Sequence, residues 1–157
     1  MEKVLNELKL KVPPLALFLL TALLMWLLAR WLDAHTTFSA LWSLVIMLTL
    51  GAGLAVIAVS ALTLYLGKTT LDPRFPHKTG RLITGGIYAY SRNPTYLGLL
   101  LLLLGWNLYL DSLYATPGLL LFFGLVTRLQ IVPEEQALEM QFGDSYLGYC
   151  QRVRRWL

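Results

Sequence analysis

At 157 residues the chain has room for one domain. It is 57% hydrophobic and only 14% charged, against about 25% charged in soluble domains, which excludes a water-soluble globule and points to a bilayer as solvent. The net charge of +4 does not imply nucleic acid, because the charges sit in short segments between apolar runs, and the single cysteine, Cys150, excludes an internal disulfide.

A spanning helix needs about 20 mostly apolar residues, and four stretches reach or approach that length. The first is Pro13 to Leu32, opened by Pro13 and Pro14. Its apolar run is too long for a signal peptide, and no small-residue cleavage site follows it. The second, Ala40 to Leu66, is long enough to tilt. Inside it, Gly51-Ala52-Gly53 reads as a small-residue patch for close helix packing. No strand precedes those glycines and no acid for a ribose lies near, so a nucleotide-binding loop is disfavoured. The third, Pro94 to Leu110, is short but continuous through Leu99–Leu104. The fourth is Leu113 to Val132, and the tight turn at Asp111 and Ser112 makes the last two a helical hairpin. Trp26, Trp31, Trp42, Trp106, Tyr109 and Tyr114 lie near span ends, where interfacial aromatics belong. Asn107, beside Trp106, is placed at the interface too.

Pro133-Glu134-Glu135 reads as a helix start, with proline at the first position and acids in the first turn. Leu138, Phe142, Tyr146, Tyr149, Val153 and Trp156 then alternate with polar residues. Gly143 is expected to divide this tail into two short helices, lying at the interface or folded over the middle loop.

Four spans put both termini on one side. All but Arg30 of the thirteen Lys and Arg residues then fall on that side, which the positive-inside rule makes cytoplasmic. The expected fold is an all-α integral membrane protein, a single membrane domain over residues 1–157. Its cytoplasmic parts are a loop over 67–93 and a tail over 133–157.

The middle loop, Gly67 to Asn93, holds Asp72-Pro73, Pro76-His77, Gly80 and Gly85-Gly86. Loops of this length in a compact protein are functional or disordered. At its end Asn93 suits an N-cap and Pro94 the first helical position, while Arg92 suits a snorkelling topology charge. The same residues suit an anion: a helix N-terminus offers free N–H groups and Arg92 adds a positive charge. Glu134 and Glu135 read either as solvated helix-start acids or as the acidic end of a pocket on the same side of the membrane. A pocket with one cationic and one acidic end suits a zwitterionic cofactor. His35 and His77 have no companions at metal-ligand spacing, so no metal site is expected.

Arg92-Asn93-Pro94-Thr95-Tyr96-Leu97-Gly98, an apolar hairpin and then Glu134-Glu135 resemble the cofactor signature of the isoprenylcysteine carboxyl methyltransferase and phospholipid methyltransferase superfamily, in a small prokaryotic form. That signature is Arg-His-Pro-x-Tyr-x-Gly, a hydrophobic stretch, and Glu-Glu. The flanks match as well: Leu82-Ile83-Thr84-Gly85-Gly86-Ile87-Tyr88 before it, and Phe142-Gly143, Tyr146, Tyr149 and Val153-Arg154-Arg155 after it. The resemblance runs from about Thr69 to the C-terminus. It implies S-adenosylmethionine-dependent methyl transfer, with S-adenosylhomocysteine as product, in the inner (cytoplasmic) membrane of a prokaryote. The acceptor it implies is a lipophilic or lipid-linked molecule among membrane lipids, with no nucleic acid involved.

By that resemblance the cofactor is held by Arg81, Leu82, Ile83, Tyr88, Arg92, Asn93, Pro94, Thr95, Tyr96, Gly98, Glu134 and Glu135. Tyr146, Tyr149 and Arg154 would close over it as a lid. The polar cofactor would enter from the cytoplasm and the acceptor sideways from the lipid. Arg154 and Gln130 are the catalytic candidates. Two positions depart from the family pattern. Asn93 replaces the usual histidine and cannot titrate near neutral pH. Gln130 stands where the prenylcysteine enzymes have a substrate-binding arginine, which argues against a carboxylate substrate. Two other readings remain open. One is an NADPH-dependent membrane reductase of the sterol reductase type, although a glutamate usually follows its glycine and Leu99 stands here. The other is a non-catalytic membrane scaffold whose helix caps mimic the motif.

Overall fold

The computed structural model describes residues 12–32, 40–68 and 80–157. Lys3, Lys9, Lys11, His35, and the loop residues Asp72, Pro73, Arg74, Pro76, His77 and Lys78 lie outside the described residues. In chain order the helices are α1 (Pro14–Leu32), α2 (Ala40–Leu66), α3 (Pro94–Leu110), α4 (Pro117–Val126), α5 (Val132–Phe142) and α6 (Asp144–Arg152). Short 3-10 turns cover Gly86–Ala89 and Leu113–Ala115, and a π-turn covers Thr127–Ile131. No strand occurs among the described residues.

Helices α1 and α2 are apolar on every side, the pattern of a helix whose surroundings are apolar throughout. Much of that surface stays outside the protein: Leu20, on α1, is 63% and Leu41, on α2, 77% exposed. Exposing whole faces of this kind to water costs about 25 cal/mol per Å², so lipid is the solvent that covers them. By length and composition three helices can cross a membrane: α1, α2 and the rod Leu113–Phe142. α3 is equally apolar but has 17 residues and falls short of that length.

The fourth stretch does not stop at Val132, and Pro133 does not begin a separate helix. The 3-10 turn at Leu113–Ala115, α4, the π-turn and α5 run on as one rod of 30 residues, Leu113–Phe142. A proline ring inside a helix clashes with the carbonyl four residues back and brings no N–H to the ladder. Here the turn ahead of it is widened, with the Val132 N–H donating to the Thr127 carbonyl five residues back. The ring is accommodated and the helix continues. Gly143 ends the rod at φ 50°, ψ −127°, a conformation that L side chains rarely adopt, and α6 follows it. The tail is therefore divided at Gly143, as its sequence suggests.

The hairpin turn lies at Asp111 and Ser112, between α3 and the rod that opens at Leu113. Asp111 closes α3 in the left-handed region at φ 47° with its N–H on the Asn107 carbonyl, and the Leu113–Ala115 turn precedes α4. The Asn107 amide donates to Thr116 Oγ1 at 3.4 Å and ties the two arms together.

α2 and α3 share the most extensive helix–helix contact. Small residues let the backbones approach: a Cβ on Gly98 would lie 2.9 Å from the Gly53 carbonyl oxygen and 2.5 Å from Ile57 Cγ1. Gly53 is thus a packing residue, while Gly51 has nothing within 4 Å. Two of the tryptophans near span ends bond neighbouring helices. Trp42 Nε1 donates to the Leu108 carbonyl at 3.3 Å and Trp106 Nε1 to the Ala22 carbonyl at 3.0 Å. Met25, Leu103, Phe122, Val126 and Ile131 are fully buried where α1, α3 and the rod meet.

Candidate functional site

The start of α3 is fixed from three directions. Pro94 is fully buried at its first position. The Asn93 carbonyl accepts the Leu97 N–H at 3.1 Å, closing the first turn. The Asn93 side chain makes no cap bond; it donates through Nδ2 to the Arg155 carbonyl at 3.0 Å. Ser91 Oγ accepts the Asn93 N–H at 3.1 Å. The Arg92 N–H donates to the Arg154 carbonyl at 3.1 Å, so the chain after α6 lies along Arg92 and Asn93.

α2 meets this turn through hydroxyls. Ser60 Oγ, fully buried, bonds the Tyr88 hydroxyl at 2.8 Å and Thr95 Oγ1 at 2.6 Å. The Tyr149 hydroxyl of α6 donates to the Tyr88 carbonyl at 2.6 Å. Tyr146, Tyr149 and Val153 form a small buried cluster against Leu82, Leu138, Phe142 and Cys150. Burial holds the phenols of Tyr146 and Tyr149 above the ordinary tyrosine value. It raises Tyr88 too, against the opposing pull of its hydrogen bonds to Ser60 and Thr95. All three are neutral hydrogen-bonding groups at neutral pH.

The rod supplies the acids. The Tyr96 hydroxyl donates to Glu134 Oε2 at 3.0 Å, joining the first turn of α3 to α5. Glu135 takes Arg92 NH2 at 3.1 Å and a two-pronged bond from Arg155, with NH2 at 2.6 Å and Nε at 3.1 Å from Oε2. That hydrogen bond raises the Arg155 pKa further. Arg92 NH1 also contacts Cys150 Sγ, a free thiol. The two acids thus differ: Glu135 is occupied by two guanidiniums, whereas Glu134 has a single hydroxyl donor among the described residues.

Three buried side-chain atoms here have no partner among the described residues: Arg92 Nε, Gln130 Oε1 and Trp156 Nε1. Leaving such a group unpaired costs about 1–3 kcal/mol, and each asks for an explanation. Trp156 stacks on Phe123 of α4 with ring centroids 4.7 Å apart.

These bonds fall in three groups on one stretch of chain: Tyr88 and Thr95 meet at Ser60, Tyr96 meets Glu134, and Arg92 and Asn93 meet Glu135 and Arg155, while Tyr149 of α6 is bonded to Tyr88. Arg81 is exposed, Leu82 belongs to the tyrosine cluster, and Ile83 packs against Gly67. Gly98 is taken up by the contact with α2. The Arg154 side chain is exposed; the guanidinium brought to Glu135 is that of Arg155. Gln130 is fully buried on the π-turn, its Nε2 donating to the Val12 carbonyl at 2.6 Å. Sequence reasoning passed over Ser60, Ser91, Arg155 and Trp156 as site residues. Ser60 carried a signal, a hydroxyl in the middle of an apolar span.

The family model described as phospholipid methyltransferase matches residues 40–145. An uncharacterised protein of Haemophilus influenzae is 48% identical over 62 residues, which is 40% of this chain and 98% of that protein. A protein-S-isoprenylcysteine O-methyltransferase of Schizosaccharomyces pombe is 38% identical over 81 residues, 49% of this chain and 33% of that enzyme. A delta(14)-sterol reductase of Mus musculus is 33% identical over 81 residues, 50% of this chain and 19% of that protein. The matches therefore span a third or less of the two named relatives. No solved structure matches the chain at a significant level.

Proposed function

The chain belongs to the phospholipid methyltransferase family, and on that premise we propose that it transfers a methyl group from S-adenosylmethionine to a lipophilic acceptor at the cytoplasmic face of a membrane. The observation that carries this reading is the 3.0 Å bond from Tyr96 to Glu134. It joins two pieces of the signature that lie 38 residues apart in sequence. In this reading α3 crosses as a fourth span. The Lys and Arg bias supports a cytoplasmic side for both termini and the site, in a prokaryote at the inner membrane.

The residues present fit the cofactor. Arg92 keeps a buried donor, Nε, without a partner among the described residues, and Glu134 keeps an oxygen that Tyr96 does not use. A donor on a cation and an acceptor on an acid suit the carboxylate and ammonium of an amino-acid moiety. When bound, S-adenosylmethionine supplies an electrophilic methyl on a sulfonium. The work left to the protein is alignment and exclusion of water. The buried hydroxyls of Ser60, Tyr88 and Thr95 hold the Gly86–Ala89 turn onto α2 and α3. Tyr149 holds α6 over that turn. Asn93, a neutral amide bound to the chain after α6, moves no proton.

The test is ligand-dependent stability of the purified protein in nanodiscs. A ligand that binds only the folded state at about 100 times its Kd adds about 2.7 kcal/mol. S-adenosylhomocysteine raises the thermal midpoint, and NADPH does not. Glu134→Gln expresses normally and loses the S-adenosylhomocysteine shift. A shift with NADPH alone would replace this reading with the reductase suggested by the mouse relative, and a shift with neither would favour a scaffold.

A further inference from the structure

Arg128 is an exposed arginine on the π-turn of the rod. Among the described residues it makes no ion pair. The positions three and four residues away on either side are Gly124, Leu125, Ile131 and Val132, so its own helix offers it no acid. Its depth makes this unusual. Leu113 opens the rod and Arg128 follows fifteen residues later, about 22 Å along the axis. A hydrocarbon layer of about 30 Å then ends about 8 Å beyond its Cα. A charged group at that lipid-facing level pairs with an anion or reaches up to the headgroups. One turn further in, on the same side of the rod, stands Gly124. A Cβ on Gly124 would meet nothing within 4 Å, and the exposed Leu120 and Leu121 continue that face. Gln130, two residues on from Arg128, is buried and so faces the opposite side of the rod. The Arg128 face is therefore separate from the candidate site.

We propose that this face holds one glycerophospholipid of the leaflet nearest Arg128, with its phosphate on the Arg128 guanidinium and an acyl chain lying over Gly124. Charge complementarity selects the occupant. A guanidinium presents its donors in a planar fork that matches phosphate oxygens, and a lipid phosphate is the anion at hand just above this depth. The missing side chain at Gly124 leaves a shallow notch below the cation, bordered by Leu121 and Leu125. A lipid places its charge and its tail in that same order along the rod. The lipid is a resident of the outer face and not a methyl acceptor, so its binding holds whatever reaction the chain carries out.

Native mass spectrometry of the full chain in a mild detergent tests this, titrating phosphatidylglycerol against diglucosyldiacylglycerol of the same acyl chains. Both lipids carry two tails on a glycerol, and only the first carries a phosphate. A charge-assisted hydrogen bond is worth about tenfold in Kd, so phosphatidylglycerol should bind about tenfold tighter. Arg128→Gln should bring the two within about threefold. Arg128→Lys, which keeps the charge, should restore part of the preference. Gly124→Leu, which fills the notch, should weaken both lipids alike. Arg152→Gln, which removes another exposed arginine, should change nothing. Equal binding of the two lipids, a preference that survives Arg128→Gln, or full binding by Gly124→Leu overturns the proposal. So does an equal loss in Arg152→Gln, the mark of diffuse attraction to a basic surface. Displacement of the lipid by millimolar inorganic phosphate overturns it as well, because the site would then be one for the free ion.

Discussion

Glu135 is the acid on which both guanidiniums converge, so its removal separates a buried pair from a surface one. Arg92 and Glu135 have side chains 13% exposed. A pair this deeply placed costs about 3–5 kcal/mol when one partner is removed, because the other charge is left buried without compensation. Arg155 is 41% exposed, and its contribution is that of a surface pair, at most about 1 kcal/mol. Arg92→Ala leaves Glu135 still held by the two-pronged bond from Arg155. The expected order of destabilisation is therefore Glu135→Ala, then Arg92→Ala, then Arg155→Ala. Equilibrium unfolding in mixed micelles of dodecyl sulfate and a mild detergent measures each. The double variant Arg92→Ala/Glu135→Ala should show a coupling of about 1–3 kcal/mol. Additivity of the two single changes within about 0.5 kcal/mol would refute the reasoning, as would a loss from Arg155→Ala equal to that from Glu135→Ala.

The glycines separate by their neighbours. Gly98→Ala forces a methyl against the Gly53 carbonyl and Ile57 and should cost about 1–3 kcal/mol. Gly51→Ala, with open space around it, should be neutral or gain up to about 1 kcal/mol of helix propensity; unfolding in the same micelles compares them. Alkaline pH probes the tyrosines. The folded pKa values of Tyr88, Tyr146 and Tyr149 lie above the ordinary value of 10.0, so above pH 10 the unfolded chain loses protons that the folded chain keeps. Stability is then full below pH 10 and falls as the pH rises beyond it. Tyr149→Phe should flatten that fall and, by removing the bond to the Tyr88 carbonyl, cost about 1 kcal/mol at neutral pH. An unchanged alkaline slope in this variant would show that Tyr149 is not held neutral by its surroundings.

The first two helices and the pairing of Arg92–Tyr96 with Glu134–Glu135 were readable in the chain. Long apolar runs admit one solvent, and a polar segment at each end of a hairpin must return to one face. Pro133 misled because its local preference for a first helical position was overridden by a widened turn, a feature no residue pattern announces. Asn93 has the chemistry of a cap, yet its side chain is drawn to the Arg155 carbonyl 62 residues away. The choice between Arg154 and Arg155 turned on where the helix gives way to extended backbone at Val153, φ −124° and ψ 129°. Ser60 was visible as a polar residue in an apolar span, but its partners are Tyr88 at the end of the loop and Thr95 at the start of α3, so its role required the tertiary contact.

The unequal lengths of α2 and α3 act on the lipids around them. Twenty-seven residues reach about 40 Å and seventeen about 26 Å, against a hydrocarbon layer of about 30 Å. On the four-span reading, α2 leans to fit while the leaflets beside α3 are pulled toward each other. The protein then sits in a dimple of its own making. An amphiphile drifting into that dimple finds its headgroup already lowered by a few ångströms toward the acids of the rod.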